Sequence, residues 1–131
     1  METRTIAMPE SPAAPRRGLT VEEFDALPDV DLEEGDWCEL HDGEVVVVRG
    51  FTATPHDWAV ARLVAILGGH LARARCGVVL TPGGVVLDRH RKVRADLVVL
   101  LEKYRGRLRR DAVHGPPDLV VEVLSPGTAM I

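Results

Sequence analysis

The sequence predicts an α/β or α+β fold, a sheet packed by one long helix, and three observations carry that expectation. Two apolar runs, Arg94-Ala95-Asp96-Leu97-Val98-Val99-Leu100-Leu101 and Asp118-Leu119-Val120-Val121-Glu122-Val123-Leu124, lack clean alternation. Such Val- and Leu-rich runs suit strands of a sheet covered on both faces. A third stretch, from Thr54 toward Gly77, places Leu63, Ile66, Leu67 and Leu71 at helical spacing. The Asp42-Gly43 pair between Trp37–His41 and Glu44–Val48 is the residue type that a tight hairpin turn selects.

The elements follow in order. Residues 1–18 hold prolines, alanines and arginines without an apolar core and read as a flexible arm, leaving 19–131 as the folded domain. A short helix opens at Thr20, where Thr20-Val21-Glu22-Glu23 has capping-box spacing and Val21, Phe24 and Leu27 share a face; Pro28 closes it. An acidic loop from Asp29 to Asp36 precedes the hairpin. The long helix is expected to take Thr54 as its N-cap and Pro55 in its first turn, to carry a weak interior at Gly68-Gly69, and to stop at Gly77. Strands near Val78–Leu80 and Val85–Leu87, joined by a Pro82-Gly83-Gly84 turn, lead to the two apolar runs. Only Ala129, Met130 and Ile131 follow Ser125-Pro126-Gly127-Thr128, so a helix covering the second face of the sheet is expected to be missing. Either the polypeptide is a fragment of a longer domain or a partner subunit covers the apolar surface, and a homodimer is the expected assembly.

Length and composition set the bounds. The 131 residues suffice for one core, and 46% apolar and 27% charged residues are ordinary for a globular protein. No stretch reaches the roughly 20 apolar residues of a membrane span, so no membrane partner is expected and cytoplasmic residence is the default. Cys38 and Cys76 lack metal-ligand spacing and read as free thiols. The net charge of -4 divides unevenly: residues 1–66 hold 14 acidic and 5 basic side chains, residues 67–131 hold 6 and 11. Arg89, Arg91, Lys92 and Arg94 form one basic cluster, and Lys103, Arg105, Arg107, Arg109 and Arg110 another. Arg89, Arg91, Lys92, Arg105 and Arg107 are the candidates for contact with a phosphate backbone. The alternative is solvated loop charge that answers the acidic half.

The chemistry lies in the carboxylates of the apolar runs. Asp96 and Glu122 interrupt strands expected to be buried, where an unpaired carboxylate costs several kcal/mol. Were the strands neighbours, the two side chains would converge on one site, and a shared divalent cation would relieve them. An arginine partner, or a place at a strand end in water, would also do so. His56 falls in the first turn of the long helix, where the dipole disfavours a cationic imidazole and a neutral one could meet a phosphate or a metal-bound water; a plain surface histidine is the equal alternative. Glu39 shares a strand face with Trp37 and His41 and, on the residues alone, reads as the polar side of a hairpin.

Glu39-Leu40-His41-Asp42-Gly43-Glu44, His56, the strand around Asp96, and Pro117-Asp118-Leu119-Val120-Val121-Glu122-Val123-Leu124-Ser125-Pro126 together resemble the Uma-two family of restriction endonucleases, within the PD-(D/E)XK nuclease superfamily. The resemblance runs from about residue 19 to 128. It implies a restriction-endonuclease-like mixed sheet with flanking helices and a Mg²⁺ or Mn²⁺ ion held by Asp96 and Glu122, with the Val123 carbonyl as a further ligand. Glu39 and His56 are implied as additional catalytic residues, and DNA as the substrate. Two departures stand out: Ala95 precedes Asp96 where the family has proline, and Leu124 stands two residues after Glu122 where the superfamily signature has lysine. The family's lysine is expected from the helix after this strand, and its loss should spare metal binding more than turnover. The leading reading is a metal-dependent endodeoxyribonuclease, impaired if that lysine is absent. The alternative is a catalytically inactive module of the same fold that binds nucleic acid or a protein.

Overall fold

In the computed structural model, the described residues are 3–5, 18–29, 31–50 and 53–124. The elements are β1 (Thr3–Thr5), α1 (Val21–Asp25), β2 (Trp37–His41), β3 (Glu44–Val48), α2 (Thr54–Ala74), β4 (Gly77–Leu80), β5 (Gly83–Asp88), β6 (Arg91–Ala95), β7 (Leu97–Leu101), a 3-10 segment (Glu102–Arg107), β8 (Val113–His114) and β9 (Leu119–Val121). The parallel β5–β8 pair among antiparallel ones makes this a mixed α+β fold, in the class the sequence predicts. The chain divides into two compact units, Met1–Phe51 with Leu87–Val93, and Thr52–Val86 with Arg94–Ile131.

The first unit is built on local signals. Thr20 caps α1 through the Glu23 amide at 3.2 Å, and the Glu23 carboxylate accepts from the Thr20 amide at 3.3 Å, completing the expected capping box. Asp42 and Gly43 take the positive φ values (48° and 83°) of a two-residue hairpin turn, setting Leu40 opposite Val45 and Glu39 opposite Val46. Leu40, Val45 and Val47 fill the core of this unit. β3 also pairs with Thr3–Thr5; the rest of the expected arm up to residue 17 lies outside the described residues.

In the second unit β7 is the central strand of a three-stranded antiparallel sheet, β4-β7-β9. Leu63, Val64, Leu67 and Leu71 of α2 cover one of its faces, against Leu97, Val99, Val79 and Val121. On the other face Val98 and Leu100 are buried as well, and Gly83 lies so close that an added Cβ would stand 2.5 Å from the Val98 Cγ2. Burial on both sides explains why Leu97–Leu101 shows no alternation.

Four sequence expectations require correction. The N-cap of α2 is Ala53, with no side-chain cap; Pro55 is accepted in the first turn in either register, so Thr54 enters the helix. The helix ends on Arg75 in the left-handed conformation (φ 52°), with the Cys76 amide closing on the Leu71 carbonyl, two residues before Gly77. The first apolar run is two strands, β6 and β7, separated by a bend at Asp96. The second run is a three-residue strand whose Leu119 and Val120 are 44% and 47% exposed, because among the described residues β9 pairs with β7 alone. Ser125–Ile131, where the missing helix was expected, lie outside the described residues.

Candidate active site

Asp96 sits where β6 gives way to β7, between the buried Ala95 and Leu97, and its side chain is 18% exposed. The Thr81 hydroxyl donates to the Asp96 carbonyl at 2.9 Å and fixes the bend from the β4–β5 connection. The Asp96 carboxylate takes two partners on Oδ2: the Val123 amide donates at 2.8 Å, and His56 Nε2 lies at 3.1 Å. Residues 27 and 40 positions away in sequence therefore meet on one oxygen.

His56, in the first turn of α2, is 8% exposed. Its second ring nitrogen, Nδ1, lies 3.2 Å from the carboxylate of Asp57. Carboxylates only accept, so an imidazole held between two of them is suited by the doubly protonated form. Burial on its own would lower the His56 pKa, but the hydrogen bonds and charges of Asp57 and Asp96 outweigh it and raise the pKa above the ordinary histidine value. Two acidic neighbours thus oppose the helix N-terminus, which favours a neutral imidazole. An open cleft of about 480 Å³ adjoins this cluster, with Val60, Ala61, Val64 and Pro82 as its apolar wall and His56, Asp57, Thr81 and Asp96 as its polar one.

The fold brings together three of the residues singled out in the sequence: His56, Asp96 and Val123. Glu122 precedes Val123 in the chain, just past the end of β9, and is exposed rather than buried. The buried-strand argument for its charge therefore fails, since the strand has ended before it. Glu39 belongs to the first unit, where it is 8% exposed; Trp37 Nε1 donates to it at 3.2 Å and His41 Nε2 lies at 2.9 Å. Asp57 and Thr81 join the site without a motif of their own. Asp57 stands beside His56 in sequence, but nothing local marks Thr81, whose role arises from a contact 15 residues away.

The basic candidates have partners close by. Arg91 pairs with Asp42 and Lys92 with Asp25 at 2.9 Å, while Arg89 lines a shallow cleft with Gly18, Asp42, Asp88 and His90. Arg105 pairs with Glu102 at 2.9 Å, and Arg107 donates to the Pro116 carbonyl at 2.7 Å while its guanidinium covers Tyr104. Lys103 lies over the same ring, so each of the chain's two lysines, 92 and 103, has a partner in the fold. Cys38 and Cys76 are free thiols, and burial raises the pKa of Cys38.

Among the described residues no group of three or more His, Cys, Asp or Glu is arranged to hold a metal ion. Asp96 is an oxygen donor of the kind a hard cation takes, and Glu122 precedes its hydrogen-bonded partner Val123 in the chain.

Residues 21–130 match the model of the Uma2 family, described as "Putative restriction endonuclease", and the chain belongs to that family. Among solved structures it is similar to a "putative nuclease belonging to DUF820" from Anabaena variabilis ATCC 29413, with a TM-score of 0.64 at 18% identity. That likeness, which concerns the fold, covers 83% of this chain and 60% of the other, so the chain spans about three-fifths of the length of that relative. No curated protein matches the sequence.

Proposed function

We propose that the second unit carries the catalytic centre of a divalent-metal-dependent endodeoxyribonuclease. The observation that carries this reading is the meeting of His56, Asp96 and the Val123 amide at the edge of an open cleft. Asp96 and Glu122, with the Val123 carbonyl, would hold Mg²⁺ or Mn²⁺, in keeping with an all-oxygen donor set. Such an ion supplies polarisation of the scissile phosphate and a bound water of lowered pKa. Thr81 holds the Asp96 backbone in place. The Val123 amide and His56 orient its carboxylate, and Asp57 holds the second ring nitrogen of His56. Support for DNA as substrate comes from the family's description, and a homodimer joined through the exposed Leu119 and Val120 belongs to the same proposal.

The test is nicking of supercoiled DNA with Mg²⁺ or Mn²⁺ by the wild-type chain and by Glu122→Ala. Loss of nicking in the variant is expected, and equal nicking by both rejects the site. One observation favours a second reading, an inactive nuclease-fold module: the fold already provides Asp96 with protein donors and each lysine with a partner. Calorimetric titration with Mg²⁺ separates the two, since an inactive module whose carboxylate is satisfied internally gives no binding heat at millimolar ion.

A further inference from the structure

β9 is tied to β7 at its ends more than along its length. Val121 packs against the core beneath α2, but Leu119 and Val120 are exposed, and among the described residues the strand pairs with β7 alone. Register is strongly specified where a strand buries one face, and a slip by one residue turns every side chain to the opposite face. β9 buries little, so its register needs another constraint. Hydrogen bonds beyond both ends supply one. After the strand, the Val123 amide donates to the Asp96 carboxylate at 2.8 Å. Before it, Asp118 donates its amide to the Val99 carbonyl at 3.0 Å, and its carboxylate accepts from the Leu101 amide at 2.7 Å. Pro116 and Pro117 have no amide hydrogen, so Asp118 is the first residue after Gly115 whose backbone can donate to β7. The aspartate that precedes each strand thus accepts an amide from the other strand's far end.

We infer that Asp118 is a positioning residue for the candidate centre: by fixing where β9 meets β7, it sets the Val123 amide and Glu122 against Asp96. The inference rests on the nuclease reading and adds to it a residue that does not line the cleft. The register pairs Leu97 with Val121 and, carried one step further, places Glu122 across from Asp96. A slip by one residue would move the strand by about 3.3 Å. It would also turn Glu122 to the other face and withdraw the Val123 amide from Asp96. Asp118 stands four residues before Glu122, about 13 Å along an extended strand. It therefore acts through the strand and not by contact with the reacting groups.

The experiment compares wild type with Asp118→Ala, which removes the carboxylate, and Asp118→Asn, which keeps an acceptor oxygen for the Leu101 amide. The side chain is exposed, so both variants are expected to fold, and circular dichroism checks this. Two readouts are taken: amide hydrogen exchange by NMR without divalent ions, and nicking of supercoiled DNA across a Mn²⁺ series. In Asp118→Ala the Val123 amide is expected to exchange at least about tenfold faster than in wild type, while the β4 amides along the other edge of β7 keep their rates. The same variant should nick at least about tenfold more slowly and need more Mn²⁺ for its half-maximal rate, since a misplacement of about 1 Å can cost about 100-fold. Asp118→Asn should return both readouts to within a few-fold of wild type. A Val123 amide unchanged in Asp118→Ala overturns the inference. Equal acceleration across β4 and β9 also overturns it, because the whole sheet has then loosened. Nicking at the wild-type rate with a freed Val123 amide does so too, since the register then does not serve the centre. If wild type itself fails to nick, the nuclease reading falls, and amide exchange alone decides whether Asp118 sets the register.

Discussion

Two carboxylates, Glu39 in the first unit and Asp96 in the second, are each held by a histidine and a second N–H donor, yet they are assembled differently. Glu39 draws its partners Trp37 and His41 from its own strand, two residues to either side, and His41 is 39% exposed. Asp96 draws on residues 27 and 40 positions away, its histidine is nearly buried, and a cleft opens beside it. Strand alternation places the side chains of Trp37, Glu39 and His41 on one face. The Asp96 arrangement exists only because β9 and the first turn of α2 are packed around the bend at Asp96. Convergence of distant elements on one half-buried charge marks a site more strongly than burial of the charge by itself.

The contrast is sharpest in stability. Asp96→Ala removes one partner of the buried His56 imidazole and leaves the Val123 amide unpaired, and an expected loss of about 2–3 kcal/mol is read from urea unfolding at pH 6. Glu39→Gln keeps an amide oxygen for Trp37 and should lose about 1 kcal/mol. A larger loss for Glu39→Gln would invert the comparison.

The pH dependence distinguishes the two more finely. The pKa of His56 is raised in the folded chain, so its contribution to stability is complete below the ordinary value of 6.5 and disappears as pH rises through the folded pKa. The difference in unfolding free energy between wild type and His56→Gln should therefore narrow as pH is raised above that range. A difference that widens with pH would show a neutral imidazole in the fold. Smaller effects follow further out. Thr81→Val removes the 2.9 Å tether on the Asp96 carbonyl and should slow nicking several-fold, about 0.5–1.5 kcal/mol, with the fold intact by circular dichroism. Lys92→Gln breaks a surface pair with Asp25 and should shift stability by less than about 1 kcal/mol.

The parts of the fold governed by neighbours in sequence were legible there. The capping box at Thr20–Glu23, the Asp42-Gly43 hairpin and the two-faced burial of Leu97–Leu101 each follow from residues within a few positions. The break of the strand at Asp96 and the short β9 were not legible, because each depends on a distant partner: Thr81 for the bend, β7 for the edge strand. The same division runs through the site. Asp96 stood out as a charge in an apolar run, and the resemblance supplied His56, but the partnership of both with Asp57 and Val123 is a product of packing. Glu122 attracted attention for burial that the end of β9 removes.

The most direct measurement is the nicking rate of Asp96→Asn and Glu39→Gln on supercoiled DNA with Mn²⁺, taken side by side under conditions where both variants are folded. A centre built at Asp96 predicts a loss of at least about 100-fold in Asp96→Asn, the scale on which catalytic groups are felt, and a rate within a few-fold of wild type in Glu39→Gln. Retained nicking in Asp96→Asn, or equal losses in the two, would contradict it.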